Sequence, residues 1–95
     1  MVVDSDDLEA ELADAITRLA GLGPAPTRAA VQVLRERVGV LYGRLSRTVP
    51  DGPRNDRLHA ALREAEELLV HAAERADRAV TVAHIVAARR RAAPR

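Results

Sequence analysis

From residue 54 to residue 93 the chain contains neither Pro nor Gly. Over that stretch its apolar residues, Leu58, Leu62, Ala65, Leu69, Ala72, Ala76, Ala79, Ala83 and Val86, fall alternately 4 and 3 positions apart. A 3.5-residue period is the seam of antiparallel helical bundles and coiled coils, and a strand cannot present it on one face. Two shorter segments carry the same period: Leu8, Leu12, Ala15, Leu19 and Leu22, and then Val31, Leu34, Val38, Leu41 and Leu45. The clusters Gly21-Leu22-Gly23-Pro24-Ala25-Pro26 and Pro50-Asp51-Gly52-Pro53 separate the three. Gly just past a helical end and Pro after it are stop signals, and Asp-Gly between prolines is turn chemistry.

The reading is an all-α chain forming one domain over residues 1–95, a small antiparallel three-helix bundle or helical hairpin with one long C-terminal helix. The first helix is expected at about 6–20, with Ser5 or Asp6 as cap and Asp6-x-x-Glu9 imitating a capping box. The second is expected at about 28–47 behind a Thr27 cap. The third is expected at about 56–91 behind Asn55 or Asp56, leaving 92–95 as a disordered tail.

Charge supports the pairing of neighbours. Residues 1–27 carry six acids against Arg18, and residues 28–55 carry six Arg against Glu36 and Asp51. An acidic helix beside a basic one suits antiparallel neighbours, at a few tenths of a kcal/mol per exposed pair. All 15 basic residues are Arg and 19 positions are Ala, a bias of the kind a GC-rich bacterial genome imposes. The absence of Lys is therefore not read as selection for Arg chemistry.

Several function classes lose their usual residues. No run approaches the roughly 18 apolar residues of a membrane span, and Met1–Asp7 lacks the basic and apolar regions of a signal peptide. A cytoplasmic protein is expected. With no Cys there is no disulfide framework or thiolate metal site. Tyr42 is the sole aromatic, so stacking platforms for single-stranded nucleic acid are missing. Ser5 and Ser46 have no identifiable His-Asp partners, and no phosphate-cradling loop or His-Glu-x-x-His occurs. The all-helical chorismate mutases, similar in size, need a Lys and a Glu/Gln set in the core; this chain has no Lys and only Gln32. Neither an enzyme nor a cofactor is expected. Glu64, Glu67, His71 and Glu74 share one face of the third helix. The other bundle helices offer no His to complete a carboxylate-bridged metal site. They are read as a solvated stripe facing the second helix's arginines.

The distinctive feature is a mismatch of lengths. At 1.5 Å per residue the three helices span about 22, 30 and 52 Å. The second helix then accompanies the third only to about Arg78, and the first cannot extend that support. The most apolar stretch, Ala79–Ala88, overhangs. Two readings follow: Val80, Val82, Ile85 and Val86, with Ala72, Ala76, Ala79 and Ala83, meet a second protein; or the helix bends near Val80-Thr81-Val82 and folds back. The first makes the chain a dimerisation or adaptor module whose partner is a second copy or another helical protein. Gly39 and Gly43 are expected at a close helix contact, against the Ala seam or at a dimer crossing, because each costs roughly 1 kcal/mol in a helix interior. Arg89, Arg90, Arg91 and Arg95 either complement the helix dipole or contribute to nucleic-acid binding, for which interleaved aromatics and glycines are lacking.

Length and hairpin character are similar to the small helical-hairpin substrates of type VII secretion, a resemblance that would imply a secreted, paired protein. The Trp-x-Gly turn of that family is matched only by Leu41-Tyr42-Gly43, and its Tyr-x-x-x-Asp/Glu signal is missing. The chain is not assigned to it.

Overall fold

A computed structural model describes residues 5–47 and 52–92. They form three helices, α1 (Ser5–Ala20), α2 (Arg28–Ser46) and α3 (Gly52–Ala92), and every pair of helices packs together. The capping assignment at α1 shifts: Ser5 already lies within the helix, and the residue before it is outside the described set, as are residues 48–51 and 93–95. Thr27 caps α2 as expected, with extended backbone (φ −80°, ψ 154°) and a side-chain oxygen that accepts from the Ala30 N–H at 3.1 Å.

α3 begins four residues earlier than expected. Pro53, read from the sequence as part of the turn, is the second residue of the helix. The first-turn N–H groups of a helix have no internal acceptor, and the proline ring already holds φ near the helical value. Pro53 therefore starts this helix. Gly52 supplies the left-handed φ of 60° at the corner.

The core is aliphatic. Leu8, Leu12, Ala15 and Leu19 of α1 meet Val31, Leu34, Val38, Leu41 and Leu45 of α2 and Leu58, Leu62, Ala65, Ala72 and Ala76 of α3. These are the seam residues of the 4,3 pattern, and no buried polar or charged side chain occurs among the described residues. Glu11, half-buried on α1, accepts from Arg44 of α2 and lies 3.6 Å from Arg37 Nη2. The acidic and basic helices are thus joined where the charge pattern placed them.

At the other end, Arg28 Nη2 of α2 lies 3.0 Å from Asp77 Oδ1 of α3. Arg75 Nε donates to the Gly23 carbonyl at 3.0 Å. Gly23 itself has a φ of 78°, which the turn after α1 requires. These two contacts mark where the bundle stops. α3 continues for another 15 residues, and the molecule measures 70 × 20 × 18 Å. Its radius of gyration, 18.1 Å, exceeds the roughly 12 Å of a compact domain of this length.

Leu41 is completely buried at the centre of the three-way packing. Leu41→Ala should lower unfolding free energy by about 2–5 kcal/mol, the usual cost of a leucine-sized cavity. Urea denaturation followed by circular dichroism measures it, and a loss below about 1 kcal/mol would show that the core is not organised around this residue.

Candidate interaction surface on α3

The last third of α3 is a single unbroken helix. No bend occurs at Val80-Thr81-Val82, so the fold-back alternative is set aside. Alanine explains the continuity. Ala72, Ala73, Ala76, Ala79, Ala83, Ala87, Ala88 and Ala92 have the highest helix propensity, and they offset the stiffness of the β-branched residues between them. Thr81 adds a local bond, its hydroxyl donating to the Asp77 carbonyl at 3.0 Å.

Nothing in the described chain covers this segment. Val82, Ile85 and Val86 keep 57%, 48% and 41% of their surface in water, and Ala83 is exposed too. Ala79 and Val80 are half-buried at the edge of the bundle. On a helical projection the apolar residues occupy more than half the circumference of the segment. Ala79, Val80, Ala83 and Ala87 continue the core stripe, Val82 and Val86 flank it, and Ile85 lies nearly opposite. Thr81, His84, Ala88, Arg89, Arg91 and Ala92 make up the rest, and Arg90 ends the core stripe three residues beyond Ala87.

Two of the expected contact residues do not belong here. Ala72 and Ala76 are 0% and 1% exposed, because α1 and α2 reach that level and enclose them. The seam period is identical on both sides of Ala76, so it carried no sign of where cover ends. Gly39 and Gly43 also require correction as close-packing residues within the chain. A Cβ built at Gly39 has nothing within 4 Å, and one at Gly43 meets only the flexible Arg47 Nη1 at 3.7 Å. They lie off the buried row 31, 34, 38, 41 and 45, on the outside of α2. The same helix exposes Val33, Val40 and Tyr42, none of which the sequence reading names as a surface residue. Their signal was their position outside that row.

Arg89, Arg90 and Arg91 are exposed in the last turn of α3, where cations complement the dipole. Arg95 lies outside the described residues. Arg44 is held beside Glu11 at the far end of the bundle, so it does not extend this basic group. Glu64, Glu67, His71 and Glu74 are exposed along the outer face of α3. The α2 arginines Arg28, Arg37 and Arg44 reach Asp77 and Glu11 instead of this stripe. Among the described residues no cluster of His, Asp or Glu is arranged to hold a metal ion. No helix there is long and apolar enough to cross a membrane. A shallow groove of about 520 Å³ between α2 and α3 lies at the base of the overhang. Arg28, Gln32, Arg35 and Asp77 rim it, so it does not continue the apolar surface.

Comparison with known proteins adds no family: no protein-family model, curated protein or solved structure matches this chain.

Two substitutions check this geometry. Gly39→Ala should raise stability by about 0.5–1 kcal/mol, since the methyl enters open space and the unfolded chain loses freedom. A destabilised variant would mean that something packs against Gly39. The double change Val82→Ser and Ile85→Ser should leave the thermal unfolding of dilute protein within about 0.5 kcal/mol of the parent. A larger loss would place these side chains in the chain's own core.

Proposed function

We propose that this chain is a non-enzymatic protein–protein interaction module that works in the cytoplasm through the projecting end of α3. The three-helix portion is the scaffold. The overhang, residues 79–92, is the contact element. One observation carries the reading: a continuous helix extends about 22 Å beyond its own core with Val82, Ile85 and Val86 uncovered.

The energetics favour occupancy. Burying a Val- or Ile-sized side chain contributes about 1.5–3 kcal/mol when it passes from fully exposed to fully buried, and these are roughly half exposed already. Three or four such residues offset only part of the association cost of about 4–15 kcal/mol. Binding therefore needs the small-residue stripe Ala79, Ala83 and Ala87 to admit a partner helix closely. This is helix-against-helix recognition, in which shape and apolar area carry affinity and the arginines at the tip adjust rate and register.

A photo-crosslinking residue placed at Val82 tests the proposal in the cells that make the protein, with Val70 as control. Val70 is 57% exposed, as Val82 is, but lies beside the core on the outer face of α3. A discrete protein adduct at residue 82 that is absent at residue 70 is expected. No adduct at 82, or equal labelling at both, would overturn the interaction reading.

A further inference from the structure

We infer that the occupant of this surface is a second copy of the same chain, laid antiparallel along the overhang with a two-fold axis passing beside Ala83. The inference rests on the reading of the overhang as a contact surface and goes beyond it by naming the partner and its register.

A two-fold interface must be complementary to itself, so a helix that pairs with its own copy antiparallel needs a stripe that reads alike in both directions. About Ala83 the overhang has this property. Ala79 and Ala87 stand four residues to either side, and Val80 and Val86 three to either side. In the antiparallel pair, each Ala79 falls opposite Ala87 of the second copy, with the two Ala83 residues at the centre. The line of small residues lets the axes approach toward the 8 Å end of the helix-packing range. Val80 from both copies closes one flank and Val86 from both closes the other.

The bundle ends at Ala76–Asp77, six to seven residues before Ala83. With the axis at Ala83, the end of each bundle therefore comes level with residues 89–90 of the other copy. The Ala79–Ala83–Ala87 stripe of each overhang, with Val80 and Val86 at its flanks, is covered from end to end, Val82 lies at the margin, Ile85 on the far side stays in water, and the tip reaches the turn after α1 of its mate. An axis much nearer either end would leave apolar surface bare or drive the tip into the opposite bundle.

Charge and area fix the character of the dimer. The tip arginines Arg89, Arg90 and Arg91 arrive beside Asp77 of the second copy but also beside its Arg75 and Arg78. Like charges outnumber opposite ones, and added salt should strengthen the pairing by screening them. A strip about 22 Å long and one helix wide is smaller than the roughly 800 Å² per partner of a standard interface. The dimer is accordingly weak and in exchange with monomer.

Because the chain has no cysteine, single cysteines report the register directly. Disulfides need Cα atoms within about 7 Å, and eight residues of helix separate two positions by about 12 Å. Under mild oxidation Ala83→Cys should form a homodimer at least ten-fold faster than Ala79→Cys, Ala87→Cys or Val70→Cys alone. A mixture of Ala79→Cys and Ala87→Cys chains should link to each other. Sedimentation of the unmodified full chain should show a dimer fraction that grows with concentration and with salt. Equal self-linking at 79, 83 and 87 would mean a parallel pair and would overturn the register. A chain that stays monomeric to about 1 mM, with Ala83→Cys no faster than Val70→Cys, would overturn self-association. If Val82 still forms an adduct with a different protein in cells, the interaction reading stands and this inference alone fails; with neither result, both fail.

Discussion

A helix advances about 1.5 Å for each residue, and this fixed rise governs the whole molecule. α1 and α2 have 16 and 19 residues with which to cover an α3 of 41. The three-way core must therefore stop where the shorter helices stop, and it does so at Ala76, with Arg28–Asp77 and Arg75–Gly23 at the boundary. Below that level the seam residues of α3 are buried except Leu69, which is half-buried against the core. Above it the same sequence period meets water. The apolar overhang follows from a shortage of companion helix, with no change in the local rules that build α3.

The division of labour along α3 follows from residue choice. Where three helices meet, the seam uses Leu58 and Leu62, which fill the space between the helices. From Ala72 to Ala83 it is alanine throughout, which lets neighbours approach and keeps the helix intact without tertiary support. Larger β-branched side chains return at Val80, at the edge of the bundle, and at Val82, Ile85 and Val86 beyond it. Those beyond the bundle add little to folding, and in the proposed dimer Val80 and Val86 flank the contact stripe.

Most of the architecture was legible because it depends on local signals. The 4,3 spacing named nearly every buried residue, Thr27 named its own cap, and the charge blocks placed Glu11 against α2. What escaped depended on three-dimensional position. Ala72 and Ala76 have the same periodicity as Ala79 and Ala83, and only the end of the neighbouring helices separates buried from bare. Gly39 and Gly43 suggested a close crossing, but their stripe is rotated away from α3, and their cost in helix propensity has no intramolecular compensation. Pro53 reads as a helix breaker in the sequence because proline in isolation does not declare whether it follows one helix or opens the next. The candidate surface was legible in outline through the length mismatch, and its lower edge was not.

The central claim is that the end of α3 gets no cover from its own chain and gains it from another molecule. Residue-resolved amide hydrogen exchange across α3, recorded while the pure protein is diluted, tests this most directly. The account predicts that amides from Leu58 to Ala76 hold their protection at every concentration, while those from Ala79 to Ala92 are weakly protected in dilute solution and become slower to exchange as the chain is concentrated. Protection of the 79–92 segment equal to that of the core and indifferent to dilution would contradict it, because the cover would then be intramolecular.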